Sequence, residues 1–249
     1  MVRFSFLLAC ILIVSGCTVV KVKNAEKASK INADLGLAYL MKGRHDQALL
    51  KLNKALNLDP DNAKAYLYKA ELYRRLDEKE QAEKFFTKAL AIEPDDSSIN
   101  NNYGAFLCAN KKYDDAFKYF NVALNNPVYP DRGKVFENIG VCSESKGNLK
   151  VARKNYIQAI SVNPNLGSSL LAVAQLDFDD GNVDSASKYL IYYNRVARQS
   201  AQSLWLGILI ARKLGQTKEE ASLSWSLERK FPKSRETRLL KQLKASGKI

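Results

Sequence analysis

The chain has 249 residues, 46% hydrophobic and 26% charged, which excludes wholesale disorder and leaves one or two globular domains or an array of short repeats. Only 6 prolines and 12 glycines interrupt it, as suits a helical array with short turns. The net charge of +13 permits acidic partners, anionic lipid or nucleic acid but says nothing of fold, and a solvated basic surface is its plainer meaning.

Positions 1–16 read as a signal peptide. Arg3 gives a short positive n-region, and residues 4–14 give an apolar stretch too short to span a bilayer as a helix. It ends in Val14-Ser15-Gly16-Cys17, which resembles the lipobox of bacterial lipoproteins. An ordinary cleaved signal with an incidental cysteine fits less well, because small residues stand directly before Cys17; Leu8-Ala9-Cys10 comes too early to leave an h-region. The lipobox implies lipidation at Cys17, and Thr18 in place of Asp after it implies an outer-membrane address. Several acyl chains at about 0.8 kcal/mol per buried methylene hold a protein to a bilayer without a transmembrane helix. Residues 17–28 read as a basic tether, with Lys21, Lys23 and Lys27 against Glu26, and the helical pattern begins near Ala28.

From residue 29 a pattern repeats. Gly36, Tyr39, Ala48, Leu52, Ala55 and Pro60 recur at one constant offset as Ala70, Tyr73, Ala82, Phe86, Ala89 and Pro94, which sets a 34-residue period. Small residues belong where two helices cross closely, large apolar ones between layers, and proline after a helix it cannot continue. This period and these residue types resemble the tetratricopeptide (TPR) repeat, which implies an all-α, right-handed superhelical solenoid of helix-turn-helix units. The third unit keeps Gly104, Leu107, Ala116, Phe120 and Ala123 but closes with a longer turn, 125–130. The fourth keeps Gly140, Ala152, Tyr156, Ala159 and Pro164, displaced by two extra residues. The fifth is degenerate, with Leu170, Ala174, Ala186 and Leu190 in place and Asp177 where tyrosine is usual. The sixth is aligned on Leu206-Gly207, Ala221, Trp225 and Pro232 with altered spacing. About six repeats result: 29–62, 63–96, 97–130, 133–166, 167–200 and 201–234, within a solenoid of 29–249.

Chemistry-bearing constellations are missing. The lone histidine, His45, falls in a predicted turn with no second ligand at metal spacing, and no phosphate loop or nucleophile elbow occurs. The pairs Asp95-Asp96, Asp114-Asp115 and Asp179-Asp180 fall at helix starts or turns, where they suit the helix dipole. Neither an enzyme, a metal, a cofactor nor a small-molecule substrate is expected. Cys108 and Cys142 lie on the first helices of adjacent units. They form either a disulfide joining repeats three and four, in an oxidising compartment, or two buried small apolar residues.

The inner face of such an array is lined by fixed positions of each first helix. These are Lys30, Ala33, Leu37, Leu40 and Met41 in repeat one and Lys64, Leu67, Glu71, Arg74 and Arg75 in repeat two, with Asn101, Asn102 and Asn138 continuing the face. An apolar strip beside a basic rim suits an amphipathic peptide or helix; alternatively Leu37 and Leu40 are covered by the N-terminal segment. The carboxylate clamp of chaperone-binding TPR proteins is absent, since Ala33, Leu37 and Tyr68 stand where Lys and Asn are needed. Basic residues dispersed along an exported chain argue against nucleic acid.

Three features together resemble the PilF/PilW family of type IV pilus biogenesis lipoproteins: the lipobox, about six TPR units and a central stretch. That stretch reads Asn101-Asn102-Tyr103-Gly104, then Tyr129-Pro130-Asp131-Arg132, then Val135-Phe136-Glu137-Asn138-Ile139-Gly140. The resemblance implies a pilotin on the periplasmic face of the outer membrane that binds the pilus secretin, promotes its localisation and multimerisation, and supports twitching; some relatives act in pilus stability instead. The rival expectation is a general periplasmic TPR scaffold lipoprotein for cell-wall enzymes or outer-membrane protein assembly.

Overall fold

A computed structural model describes residues 14–246, with side chains from Asn24 onward. Residues 1–13 of the signal peptide and the side chain of Cys17 lie outside the described residues. Thirteen α-helices and no strands occur among the described residues: α1 (Val14–Met41), α2 (His45–Leu58), α3 (Ala63–Arg75), α4 (Lys79–Ile92), α5 (Ser97–Ala109), α6 (Tyr113–Leu124), α7 (Arg132–Ser145), α8 (Leu149–Val162), α9 (Gly167–Asp179), α10 (Val183–Val196), α11 (Ala201–Lys213), α12 (Thr217–Lys230) and α13 (Arg235–Ala245). This is the all-α TPR fold expected from the repeat period. One expectation changes: α1 starts at Val14 and not near Ala28, so the backbone of the basic stretch 17–28 is helical. His45 opens α2 and does not sit in the preceding turn.

The chain forms two compact units. The first contains the described residues up to Asn110 together with Lys118–Asn126. Here Ala48, Leu52 and Ala55, spaced at helical turns along one face of α2, are fully buried. A Cβ added at Gly36 would lie 2.7 Å from Leu52, so α1 and α2 cross where only glycine fits. Successive repeats are tied by polar groups as well. Ser29 Oγ donates to the Ala55 carbonyl (2.8 Å) and accepts from Asn62 Nδ2 (2.8 Å), while Asn62 Oδ1 caps α3 by accepting from the Ala65 amide (3.0 Å). Aromatic rings fill the next layers: Tyr73 stacks on Phe85 at 5.3 Å, and Phe86 meets Tyr103 and Phe106 at 5.4 and 5.3 Å.

The second unit contains Lys111–Phe117 and the residues from Pro127 onward. Gly140 repeats the role of Gly36, with an added Cβ 2.6 Å from the Tyr156 ring. Asp177, where tyrosine is usual, is completely buried. Its carboxylate accepts from Arg153 Nε (2.5 Å) and Nη2 (3.1 Å) and from Ser185 Oγ (2.5 Å), so a three-bond polar contact replaces a ring. Burial alone would raise this carboxyl's pKa, but those bonds and the Arg153 charge outweigh it and hold the pKa below the usual carboxylate value.

Left-handed turn residues fix the register. Gly43, Asp77, Lys111, Gly147, Gly181 and Gly215 all have positive φ between the helices of their hairpins. Gly147, Gly181 and Gly215 are evenly spaced, so the sixth repeat has no altered spacing. Its core positions are Ile208, Glu220, Ser224 and Leu227, one residue removed from the Gly207-Ala221-Trp225 alignment. Leu227 and Ile208 are fully buried, whereas Trp225 is 59% exposed and Ala221 is also exposed. Gly207 still permits close packing, against Leu223; this is why the sequence pattern pointed one residue away.

Candidate functional site

The expected inner face separates into buried and accessible residues. In the first unit, Leu40 is fully buried against Ala48, Leu52 and Leu72, and Ala33 packs with Ala55 and Ala65. Leu67 and Asn101 are also buried. All four pack in the interior, so Leu40 and Ala33 are withdrawn from the open apolar strip expected of repeat one. Leu37, Asn102 and, in the second unit, Asn138 are half-buried, and Asn102 Nδ2 donates to its own helix at the Ser98 carbonyl (2.8 Å). Met41, 66% exposed, is the apolar group that remains accessible beside Leu37 on α1.

Glu71 organises the rim. Its carboxylate accepts from Arg74 Nε (2.6 Å) and Nη2 (2.7 Å) and from Arg75 Nε (2.8 Å). Arg75 also donates to the Leu40 carbonyl at 3.2 Å and approaches Met41 Sδ at 3.4 Å. Burial works to raise the Glu71 pKa, but the two guanidinium groups more than reverse it and keep the group ionised. One carboxylate thus fixes two arginines, of which Arg75 lies against Met41, and leaves a net positive edge. Toward the start of α3 the charge inverts. Ala33 helps line a cleft of about 420 Å³ with Glu26, Lys30, Asp34, Lys64 and Glu93, where acids outnumber lysines. A partner lying along this unit would meet an acidic end and a basic, Met-bearing end.

In the second unit, Glu137 is buried on α7, accepting from Ser169 Oγ (2.8 Å) on α9 and pairing with Lys134. Val141, 48% exposed, is an accessible apolar group one turn beyond it. Cys108 and Cys142 are both buried, on α5 and α7. No cluster of three or more metal-ligating side chains occurs among the described residues. The Glu71-Arg74-Arg75 lock was legible in part, since Glu at i with Arg at i+3 and i+4 is a helix-surface pairing. That Leu40 serves the core was not legible, because its position on the helix faces both the partner helix and the groove.

Models of the tetratricopeptide repeat match residues 39–100, 85–118 and 133–166. The type IV pilus assembly protein PilF of Pseudomonas aeruginosa is 32% identical over 214 residues, covering 86% of this chain and 85% of that protein. An uncharacterised protein of Haemophilus influenzae is 30% identical over 51% of this chain and 72% of its own length. The solved structure of P. aeruginosa PilF superposes with a TM-score of 0.82 at 30% identity, covering 88% of this chain and 99% of that one. The crystal structure of PilW, a widely conserved type IV pilus biogenesis factor, superposes with a TM-score of 0.76 at 31% identity, covering 85% and 97%.

Proposed function

From the premise that this chain belongs to the PilF/PilW family of TPR proteins of type IV pilus assembly, we propose that it is an outer-membrane lipoprotein that grips the pilus secretin and promotes its multimerisation. The observation that carries this reading is the match to two pilus proteins along nearly the whole of their chains, rather than to single repeats. The inner face of the first unit supplies the grip. Met41 and Leu37 offer adaptable apolar contact, and the acidic and basic ends set the direction of a bound segment. Lipid on Cys17 supplies the address, and holding several secretin subunits at one membrane raises their effective concentration. The protein acts as a scaffold and performs no chemistry.

The test is a blot of the secretin in unboiled outer membranes, with and without the gene. Loss of the high-mass secretin band, with other outer-membrane proteins unchanged and the band restored by complementation, supports the reading. An unchanged band overturns the secretin assignment, and a general loss of outer-membrane proteins favours a broader assembly scaffold. The anchor is tested separately: Cys17→Ser should release the protein to the soluble periplasmic fraction, and continued outer-membrane fractionation would refute lipidation.

A further inference from the structure

The second unit carries a surface that the pilus reading does not use. Helices α10 and α12 are the second helices of the fifth and sixth repeats, and both flank one groove. Leu190 and Ile191 of α10, Leu204 and Ile210 of α11 and Leu223 of α12 line it, with a volume of about 270 Å³. Exposed apolar and cationic residues lie close together on the two helices, interspersed with Asp184 and Asn194 on α10 and Glu219 and Ser222 on α12. Along α10 stand Lys188, Ile191, Tyr192, Arg195 and Val196; along α12 stand Lys218, Trp225, Arg229 and Lys230. Trp225 is 59% exposed and Tyr192 49% exposed. Each ring carries an arginine on its own helix: Arg229 is 4.9 Å from the Trp225 centroid and Arg195 is 5.4 Å from the Tyr192 centroid.

Basic residues are spread along the chain, but acids are few here, so net charge is concentrated in this segment. Residues 183–246 hold thirteen Lys and Arg against five Asp and Glu, a net of +8 out of +13 for the whole chain. Of the five acids, Glu228, next to Arg229, is paired with Lys244 at 2.9 Å. Glu220 is partly buried at a core position of α12, and Asp184, Glu219 and Glu236 stand in the first turns of their helices.

We infer that this outer face of α10 and α12 rests on an anionic lipid surface, with Trp225 and Tyr192 at headgroup depth and Arg195, Arg229 and their lysine neighbours on the phosphates. The pattern decides between occupants. A partner helix in a groove requires a contiguous apolar stripe, whereas here every apolar side chain is next to a cation, which is the composition of an interfacial surface. Tryptophan gains from the interface through its amphipathic ring, and each Lys or Arg near an anionic surface strengthens partitioning roughly fivefold. The contact does not depend on lipid at Cys17 and adds a fixed orientation of this unit to it.

The experiment uses the full chain with Trp205→Phe, which leaves Trp225 as the remaining tryptophan of the two. It is mixed with vesicles of phosphatidylcholine alone or phosphatidylcholine with phosphatidylglycerol, both brominated near the headgroup end of the acyl chains. The expected result is quenching of Trp225 on phosphatidylglycerol vesicles only, reversed by salt. Arg195→Gln with Arg229→Gln, both exposed positions, should weaken that partitioning roughly 30-fold with an unchanged circular dichroism spectrum. Unquenched Trp225 on anionic vesicles, equal quenching on both lipids, or quenching that survives the double substitution overturns the inference; the first is also the outcome if an acidic protein covers this face. Sedimentation with phosphatidylcholine vesicles reads the Cys17 anchor alone, so failure of the anchor and failure of this contact are distinguishable.

Discussion

Asp177→Asn tests the replacement of a packing tyrosine by an ion pair. The parent carboxylate is 1% exposed and accepts three hydrogen bonds, two from Arg153 and one from Ser185. The amide has nearly the same shape, but one of its ends presents N–H donors to a guanidinium or a hydroxyl. Arg153 is 42% exposed and recovers water, which softens the loss. Weighing charge-assisted bonds at about 1.5–3 kcal/mol each against that recovery gives a destabilisation of about 2–4 kcal/mol at pH 7. Urea denaturation followed by circular dichroism measures it, and hydrogen exchange should place the lost protection in α9 and α10. The pH dependence supplies an independent check. The folded pKa of Asp177 lies below the unfolded value, so its contribution is complete above about pH 4 and is lost as pH falls through the folded pKa. The gap between parent and variant should therefore close in acid. A gap under about 0.5 kcal/mol at pH 7, or one that persists undiminished at pH 2, refutes the argument.

Three further outcomes are expected. Gly140→Ala places a methyl 2.6 Å from the buried Tyr156 ring; the overpacking cost of about 1–3 kcal/mol outweighs the gain of about 1 kcal/mol in helix propensity, so the urea midpoint should fall, and a rise would show that the ring moves freely. Leu40→Glu buries a carboxylate in the core and should lose helical circular dichroism on mild heating, whereas Leu37→Glu should keep the spectrum and weaken capture of the proposed secretin partner; equal behaviour of the two would refute the division of the inner face into buried and accessible residues. If export oxidises Cys108 and Cys142 as a pair, the intact mass under non-reducing conditions should be lower by two hydrogens than after reduction, and Cys108→Ser should abolish the difference.

The sequence by itself determined the helices, the repeat period and the family. Small residues at Gly36 and Ala48, large ones at Leu52 and Phe86 and prolines at Pro60 and Pro94 recur because each hairpin faces the same packing problem, and a repeated constraint is visible without coordinates. The sixth repeat could also have been placed from its turn: Gly147, Gly181 and Gly215 keep a strict interval because a left-handed residue is required there. Only tertiary structure decided which side chains are available. Leu40 and Met41 are neighbours in the chain and equally apolar, yet one is sealed by Leu72 from the next repeat and the other is open. Asp177 breaks the repeat pattern in sequence, and only the fold brings Arg153 from the preceding hairpin to neutralise it. Trp225 matches a core position in the sequence alignment of the sixth repeat, but the register set by Gly215 lies one position away and turns it outward. Helical period fixes the direction in which a side chain points, but what lies in that direction belongs to another repeat, and the sequence of one helix does not contain it.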